Sequence, residues 1–267
     1  MSTDEAGRLR VACVGAFGRM GERVRAALSE ATDAELVGAL EGASHAELGR
    51  ELTPGVALTS DPRRAFARAD AVIDFSVPTA SLAGLRAAAD LGVAYVCGTT
   101  GFRPAQRAEF DALAKRVPVV WAPNFSVAVT VLAHLVGEAA RLLGAGFDAE
   151  ILELHHAAKR DAPSGTALRL AAAIAAARGQ DVEQALVVAR SGDTGVRPAD
   201  AIGVQALRGG DNPGEHSVLL LGRGERLELV HRAATRDHFA AGALRAARWA
   251  HGQPPGLYGM EQVLALA

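Results

Sequence analysis

The segment ELHHAAKRDAPSGTA, residues 153–167, gathers side chains able to move protons and groups able to hold an anion. His155 and His156 fall near the end of an apolar, strand-like run, and as neighbours they point to opposite faces, so they cannot serve one site in the same way. Lys159 follows in a loop, and Ser164, Gly165 and Thr166 open a helix. Hydroxyls and backbone N–H groups at a helix start suit a substrate carboxylate. A lysine beside them adds charge attraction and, unlike arginine, gives up a proton at neutral pH once its pKa is lowered. Of the 28 basic residues only Lys115 and Lys159 are lysines, so the chain meets its other needs for positive charge with arginine. Taken singly, a histidine pair is an ordinary strand end, a loop lysine is solvated and Ser-Gly-Thr is a cap. Taken together they point to a site that holds an anionic substrate and protonates it, with Lys159 beside His155 as the acid. A metal site on His155 and His156 is disfavoured, because adjacent strand residues diverge and no third ligand is evident. The stretch RGGDNPGEHS, with Arg208, Glu215 and His216, reads equally as part of the cleft or as a loop between strands, and His231 and Arg236 read as structural.

A second set of residues has the pattern of a dinucleotide site. In VACVGAFGRMG, Gly15, Gly18 and Gly21 stand directly after a strand and at the mouth of a helix. Such a turn lets the backbone approach a pyrophosphate, and the helix start offers N–H groups and partial positive charge. The spacing is GxxGxxG rather than GxGxxG, so the strand-turn-helix context supports the reading more than the trio alone. Glu41 ends the second strand, where an acid accepts hydrogen bonds from the adenosine ribose hydroxyls. The following Gly42, Ala43 and Ser44 supply no arginine for a 2′-phosphate, although Arg19 lies in the glycine loop, so the expectation leans to NADH over NADPH. Gly98, Thr99 and Thr100 in CGTTGF, and Ala122, Pro123, Asn124 and Phe125 in APNFS, follow two further strands and suit a nicotinamide ribose and carboxamide.

These sites require particular elements around them. From Leu9 to Trp121 short apolar runs alternate with helix-length amphipathic stretches, the pattern of a doubly wound, Rossmann-like parallel sheet whose strands are LRVACV, AELVGAL, AVIDF, AYVC and PVVW. One helix ends at Gly92 and another opens at Pro104. A long helix over about 127–143 then leads into the strand ILELHH and an alanine-rich helix over about 165–178. AIGVQALR, HSVLLLG and RLELVHRA follow, with a hairpin turn at RGE, so the second domain is expected to be α+β with a mainly antiparallel sheet. The domains predicted are 1–126 with 236–267, for the dinucleotide, and 127–235, for substrate and oligomerisation. A hydride donor on the first and an acid on the second imply closure on substrate, with hinges near Ser126 and Arg236.

Composition narrows the classes. A formal net charge of −2, with acids and bases dispersed, gives neither a basic stripe for nucleic acid nor a polybasic anchor for a membrane. No apolar run is read as long enough to span a membrane, and the start MSTDEAGRLR has no apolar signal core, so the expected compartment is the cytoplasm. Cys13 and Cys97 sit inside apolar strands and read as small buried residues.

VGAFGRMG, VIDFSVP, CGTTGF, APNFSVAV, ELHHAAKRDAPSGTA, GEHSVLLLG and FAAGALRAARW together resemble, in order and over essentially the whole chain, the 4-hydroxy-tetrahydrodipicolinate reductase (dihydrodipicolinate reductase) family of lysine and diaminopimelate biosynthesis. The HHxxKxDAPSGTA segment is specific to it and the glycine loop is not. The resemblance implies His155 as proton donor or acceptor, Lys159 as proton donor, His156 as a substrate contact, and Gly165 with Thr166, beside Ser164, as the carboxylate cradle, Thr100 being counted with both ligands. It places the cofactor on Gly15, Ala16, Phe17, Gly18, Arg19 and Met20, on Glu41, and on the 98–100 and 122–125 loops. It further implies a homotetramer. Two other readings stay open from the residues: another two-domain NAD(P) oxidoreductase, such as an amino-acid dehydrogenase, and a catalytically silent nucleotide-sensing subunit, which would need neither Lys159 nor the cradle.

Overall fold

Short apolar runs separated by amphipathic stretches have one economical solution, a parallel sheet covered by helices on both faces. A computed structural model describes residues 7–266; the expectation of a start without a signal core falls largely on the first six residues, which lie outside the described residues, as does Ala267. In chain order come β1 (Leu9–Val14), α1 (Arg19–Glu30), β2 (Ala34–Leu40), β3 (Glu51–Thr53), β4 (Val56–Thr59), α2 (Pro62–Phe66), β5 (Ala71–Asp74), α3 (Pro78–Leu91), β6 (Ala94–Cys97), α4 (Pro104–Leu113) and β7 (Pro118–Trp121). Then follow α5 (Val127–Leu143), β8 (Asp148–His155), α6 (Gly165–Ala177), α7 (Val182–Ala185), β9 (Leu186–Val188), β10 (Ile202–Arg208), β11 (Glu215–Leu221), β12 (Arg226–Arg232), α8 (Asp237–His251), β13 (Gly256–Tyr258) and α9 (Met260–Val263). The chain divides into two units: everything through Val127 together with Asp237 onward, and Ala128–Arg236.

In the first unit the strands run β13-β7-β6-β5-β1-β2-β4-β3, parallel except for the short β3–β4 pair. The five strands read from the sequence form its middle, and β3, β4 and β13, too short to carry a period, extend its edges. Alternate residues feed two cores: Val11, Cys13, Ile73 and Val96 pack with Val24 of α1 and Leu244 of α8, while Val14, Val72 and Tyr95 pack with Leu85 of α3 and Phe110 of α4. α3 opens at Pro78 and stops at Gly92, whose φ of 72° is the left-handed cap a glycine takes at no steric cost.

The second unit has a five-stranded sheet, β12-β11-β8-β10-β9. The hairpin partners are antiparallel, β11 pairing with both β12 and β8, whereas β10 runs parallel to β8 and to β9. The parallel half follows from α6, which carries the chain back before β9 and β10 are laid down. Its core packs Ile151, Val204, Val218 and Leu220 of the sheet against Leu132 and Val136 of α5 and Leu170 and Ile174 of α6. The expectation that no segment is long and apolar enough to span a membrane needs correcting. Val127–Gly146 passes by length and composition, since a few charges are tolerated in such a window. Leu132, Val136 and Ala140 on one side of that segment are buried in the unit's core, and 33% of its apolar window is buried.

A Cβ added at Gly21 would stand 2.0 Å from the carbonyl oxygen of Gly15, so only glycine lets α1 press on the turn that precedes it. Gly21→Ala is expected to destabilise the protein by about 1–3 kcal/mol, the usual cost of overpacking, read as a lowered midpoint in urea.

Candidate active site

β8 places Glu153 and His155 on its buried face, one strand period apart, and His155 is its last residue. Glu153 is fully buried and bonded on every side: Oε1 accepts from the Ser164 backbone N–H (3.0 Å) and Arg208 Nη2 (2.8 Å), and Oε2 from Arg208 Nη1 (2.7 Å) and His155 Nδ1 (2.5 Å). Burial pushes its carboxyl up, but the bonds from Arg208, His155 and Ser164 outweigh that and hold it below the usual range. For His155 burial wins and lowers the pKa, opposed by Glu153 and assisted by the charges of Lys159 and Arg208.

Beyond β8 the chain turns, and Lys159 Nζ bonds both oxygens of Asp161, at 2.8 and 2.7 Å, which holds the Asp161 carboxyl below its ordinary value. His156 is half-buried with Nε2 3.2 Å from Arg236. Ser164 caps α6, its Oγ accepting from the Ala167 N–H at 3.1 Å and lying 3.2 Å from His216 Nε2. Gly165 is the first residue of α6, and a Cβ there would meet nothing of the protein within 4 Å, so folding does not demand glycine and the space is open to a ligand. His155, Lys159, Ser164 and Gly165 thus belong to one continuous turn, with Thr166 in the first turn of α6.

In the first unit, a cleft of about 510 Å³ is lined by Gly15 and Gly18 after β1, Glu41 and Gly42 after β2, Ser60 and Pro62 after β4, and Phe75 and Ser76 after β5. These are the carboxyl ends of the strands, where doubly wound sheets bind ligands. Gly15 takes φ +70°, and Gly18 begins α1 with no side-chain cap. Glu41 is aimed back at the glycine turn: Oε1 accepts from the Phe17 N–H at 2.8 Å and Oε2 lies 3.3 Å from the Gly42 N–H. A Cβ on Gly42 would meet nothing, and one on Gly18 only the Gly15 carbonyl at 3.2 Å, so the cleft is open at both glycines.

The remaining expected cofactor residues do not line this cleft. Arg19 is exposed, Met20 is partly buried in the core and Ala16 fully buried. Gly98 is required by packing, since a Cβ there would enter the Phe75 ring at 2.2 Å. Thr99 is buried with Oγ1 3.4 Å from Asp74, and Thr100 is exposed. Ala122 is buried, Pro123 exposed, and Asn124 accepts from the Ser126 N–H at 2.8 Å. Phe125 needs correcting in one respect: its ring, only 1% exposed and edge-on to Phe75, is a core side chain and not a face offered to a nicotinamide. Sequence reasoning missed Ser60, Phe75 and Ser76 as cleft walls and Glu153 as the partner of His155. The i, i+2 spacing of Glu153 and His155 in a strand was the available signal.

An open cleft at the carboxyl ends of the parallel strands in one unit, and in the other a turn that sets a histidine and an ion-paired lysine beside an open helix start, are features of a two-unit nicotinamide-dependent oxidoreductase. Comparison with known proteins makes this specific: residues 9–125 match the family described as dihydrodipicolinate reductase, N-terminus, and 128–264 match its C-terminus. The chain is 47% identical to the 4-hydroxy-tetrahydrodipicolinate reductase of Syntrophobacter fumaroxidans, over 97% of this chain and 99% of that one, and 48% identical to that of Myxococcus xanthus, over 96% and 97%. Among solved structures it resembles a dipicolinate-bound dihydrodipicolinate reductase from Paenisporosarcina (25% identity, TM-score 0.76, covering 96% and 99% of the two chains). An amine dehydrogenase from Mycobacterium smegmatis, 16% identical with a TM-score of 0.56 and covering 97% and 96%, shares the fold alone. The chain belongs to the dihydrodipicolinate reductase family, and it is an NAD(P)H-dependent oxidoreductase.

Behind His155, burial above all, with the charges of His155 and His231, pushes the His216 pKa from 6.5 down to about 4. Between those values the unfolded chain binds a proton that the folded one refuses, so stability present above pH 6.5 is lost as pH falls toward 4. In urea titrations at several pH values, wild type is expected to lose up to ~3 kcal/mol over this window that His216→Gln keeps.

Proposed function

We propose that this oxidoreductase reduces 4-hydroxy-tetrahydrodipicolinate to tetrahydrodipicolinate, a step of diaminopimelate and lysine synthesis. The observation that supports this most directly is the turn 155–166, where an ion-paired lysine and a histidine flank a helix start left open by Gly165. Gly15, Gly18 and Glu41 of the first unit's cleft would hold NAD(P)H, which would supply the hydride for the unsaturated ring; with one proton added and water lost, tetrahydrodipicolinate and NAD(P)⁺ would result. The chain's residues do the rest. Ser164, Gly165 and Thr166 at the start of α6 receive a ring carboxylate, where N–H groups and helix dipole favour an anion. Lys159, held by Asp161, delivers the proton, and His155, whose pKa is lowered, is its neutral neighbour at the ring. His156 and Thr100 are further substrate contacts.

The cofactor preference we infer is NADH. Glu41 at the ribose end of the cleft would repel a 2′-phosphate, and Gly42 follows it without a cation. The guanidinium groups of Arg25 and Arg50, which lie over the Phe17 ring, are engaged with the Ala16 carbonyl and Glu47. Of the proposed cofactor surface, Gly15, Gly18 and Glu41 line the cleft; Ala16, Phe17, Arg19, Met20, the 98–100 loop and the 122–125 loop lie outside it and would meet the parts of the dinucleotide that extend beyond it, Ala16, Ala122 and Phe125 through their backbone. The expected assembly is a homotetramer in the cytoplasm. Its support is the outer face of the second sheet, where Leu152, Leu207 and Val230 are 39–49% exposed.

An assay with synthase-generated substrate, following NADH and NADPH in parallel, should show oxidation of both with NADH at least as efficient. No oxidation of either sinks the assignment, and a strong NADPH preference sinks the reading of Glu41 and Gly42. Lys159→Ala should lower turnover roughly 10²- to 10⁴-fold with cofactor affinity retained, the usual worth of a general acid. Unchanged turnover would refute its role.

A further inference from the structure

We propose that Glu153, clamped by Arg208, is the positioning residue of the site: one buried carboxylate fixes the tautomer of His155 and, through the Ser164 N–H, the start of α6. This rests on the function proposed above. An ionised carboxylate only accepts hydrogen bonds and offers about four lone-pair positions. Glu153 uses four, two for Arg208, one for Ser164 and one for His155. Because a carboxylate cannot donate, the proton of a neutral His155 must sit on Nδ1. Nε2 is left as an acceptor, backed by Gly214, where a Cβ would come within 2.9 Å of it. His155 therefore takes a proton before it can give one.

Arg208 keeps the carboxylate charged. Its guanidinium sits at the end of β10, in register with His155 on β8, and its Nη2 also donates to the Asp161 carbonyl at 2.6 Å. The same fork thus reaches the loop that bears Lys159. A lysine would supply one point charge where the guanidinium supplies a planar pair of donors. The charged and titratable groups facing His155 are Glu153 on its own strand, Arg208 on β10, His216 on β11 at 5.2 Å between ring centroids, and Lys159 in the loop, with His231 of β12 behind His216 at 6.1 Å.

The isosteric Glu153→Gln tests this. Its amide keeps an acceptor for Ser164 and Arg208 but turns an NH₂ toward His155 Nδ1, which then must accept, so the ring proton moves to Nε2. In ¹⁵N spectra of the full-length protein without substrate, with the signal assigned through His155→Gln, wild type at neutral pH should have Nδ1 protonated and Nε2 bare, and Glu153→Gln the reverse. Steady-state kinetics on Glu153→Gln should give kcat lower by about 10²-fold or more, as for loss of a working acid–base group. KM for the cyclic dicarboxylate should rise several-fold, the pH profile should shift, and NADH affinity should stay within twofold. Arg208→Lys should retain more activity than Arg208→Met. A wild-type ring with the proton on Nε2, or Glu153→Gln with unchanged kcat and pH profile, overturns the proposal. If Glu153→Gln fails to fold, the wild-type tautomer and the order of the Arg208 variants decide. The spectrum needs no substrate, so an error in the assigned reaction appears in the wild-type assay alone and an error about Glu153 in the spectrum.

Discussion

A carboxylate sealed from water stays ionised only if the protein replaces its hydration almost completely, and Glu153 is the place where this chain meets that demand. Its four bonds come from three segments: β8 itself, the helix start at Ser164 eleven residues on, and the end of β10, distant in sequence. Each is thereby placed relative to the others to within hydrogen-bond tolerance. His155, the start of α6 and, through Arg208, the loop that bears Lys159 are thus all tied to one anchored charge. In the parallel half of the second sheet, Arg208 of β10 stands in register with His155 of β8.

The first unit solves the opposite problem with its own buried acid. Asp74, also fully buried at the end of β5, has no arginine; its bonds come from the Ser76 N–H, the Tyr95 hydroxyl and, more distantly, the Thr99 hydroxyl. Burial there outweighs the bonds and raises its pKa. One acid is held as an anion by a fork of charge, and the other is driven toward neutrality by apolar surroundings. Both tie loops together. Asp74 joins the 75–77 turn to the 98–100 turn.

Most of the fold was legible because its signals are local. The five central strands, the helix from Val127 to Leu143, the stop at Gly92 and the helix start at Pro104 follow from period, glycine and proline alone. The three-residue strands were not legible, since a pairing partner and not their own pattern makes them strands. Within the site, His155, Lys159 and Ser164 stood out as residue types at a spacing, and they share one turn. Glu153 did not stand out, because an acid in a strand reads as a solvated residue until a second strand sets Arg208 against it. Phe125 misled in the other direction: an aromatic in a ligand loop advertises a contact, but its ring was needed to fill the core against Phe75.

The scarcity of lysine needs the same structural correction. Of the two lysines, Lys115 lies exposed beyond α4, so rarity alone does not mark a site. What separates Lys159 from the arginines is the partner geometry. Arg190 and Arg208 each grip one glutamate through two donors, and Arg197 reaches Asp148 and Glu150 together, uses that need a planar fork. Lys159 meets Asp161 through one nitrogen shared between two oxygens, a point charge in place of a fork. A tethered ammonium can swing from Asp161 to a substrate and release its proton; a guanidinium in the same place would hold its charge and its position. Under the function proposed above, the site divides its cations by duty, the fork of Arg208 fixing Glu153 and the single amine of Lys159 carrying the proton.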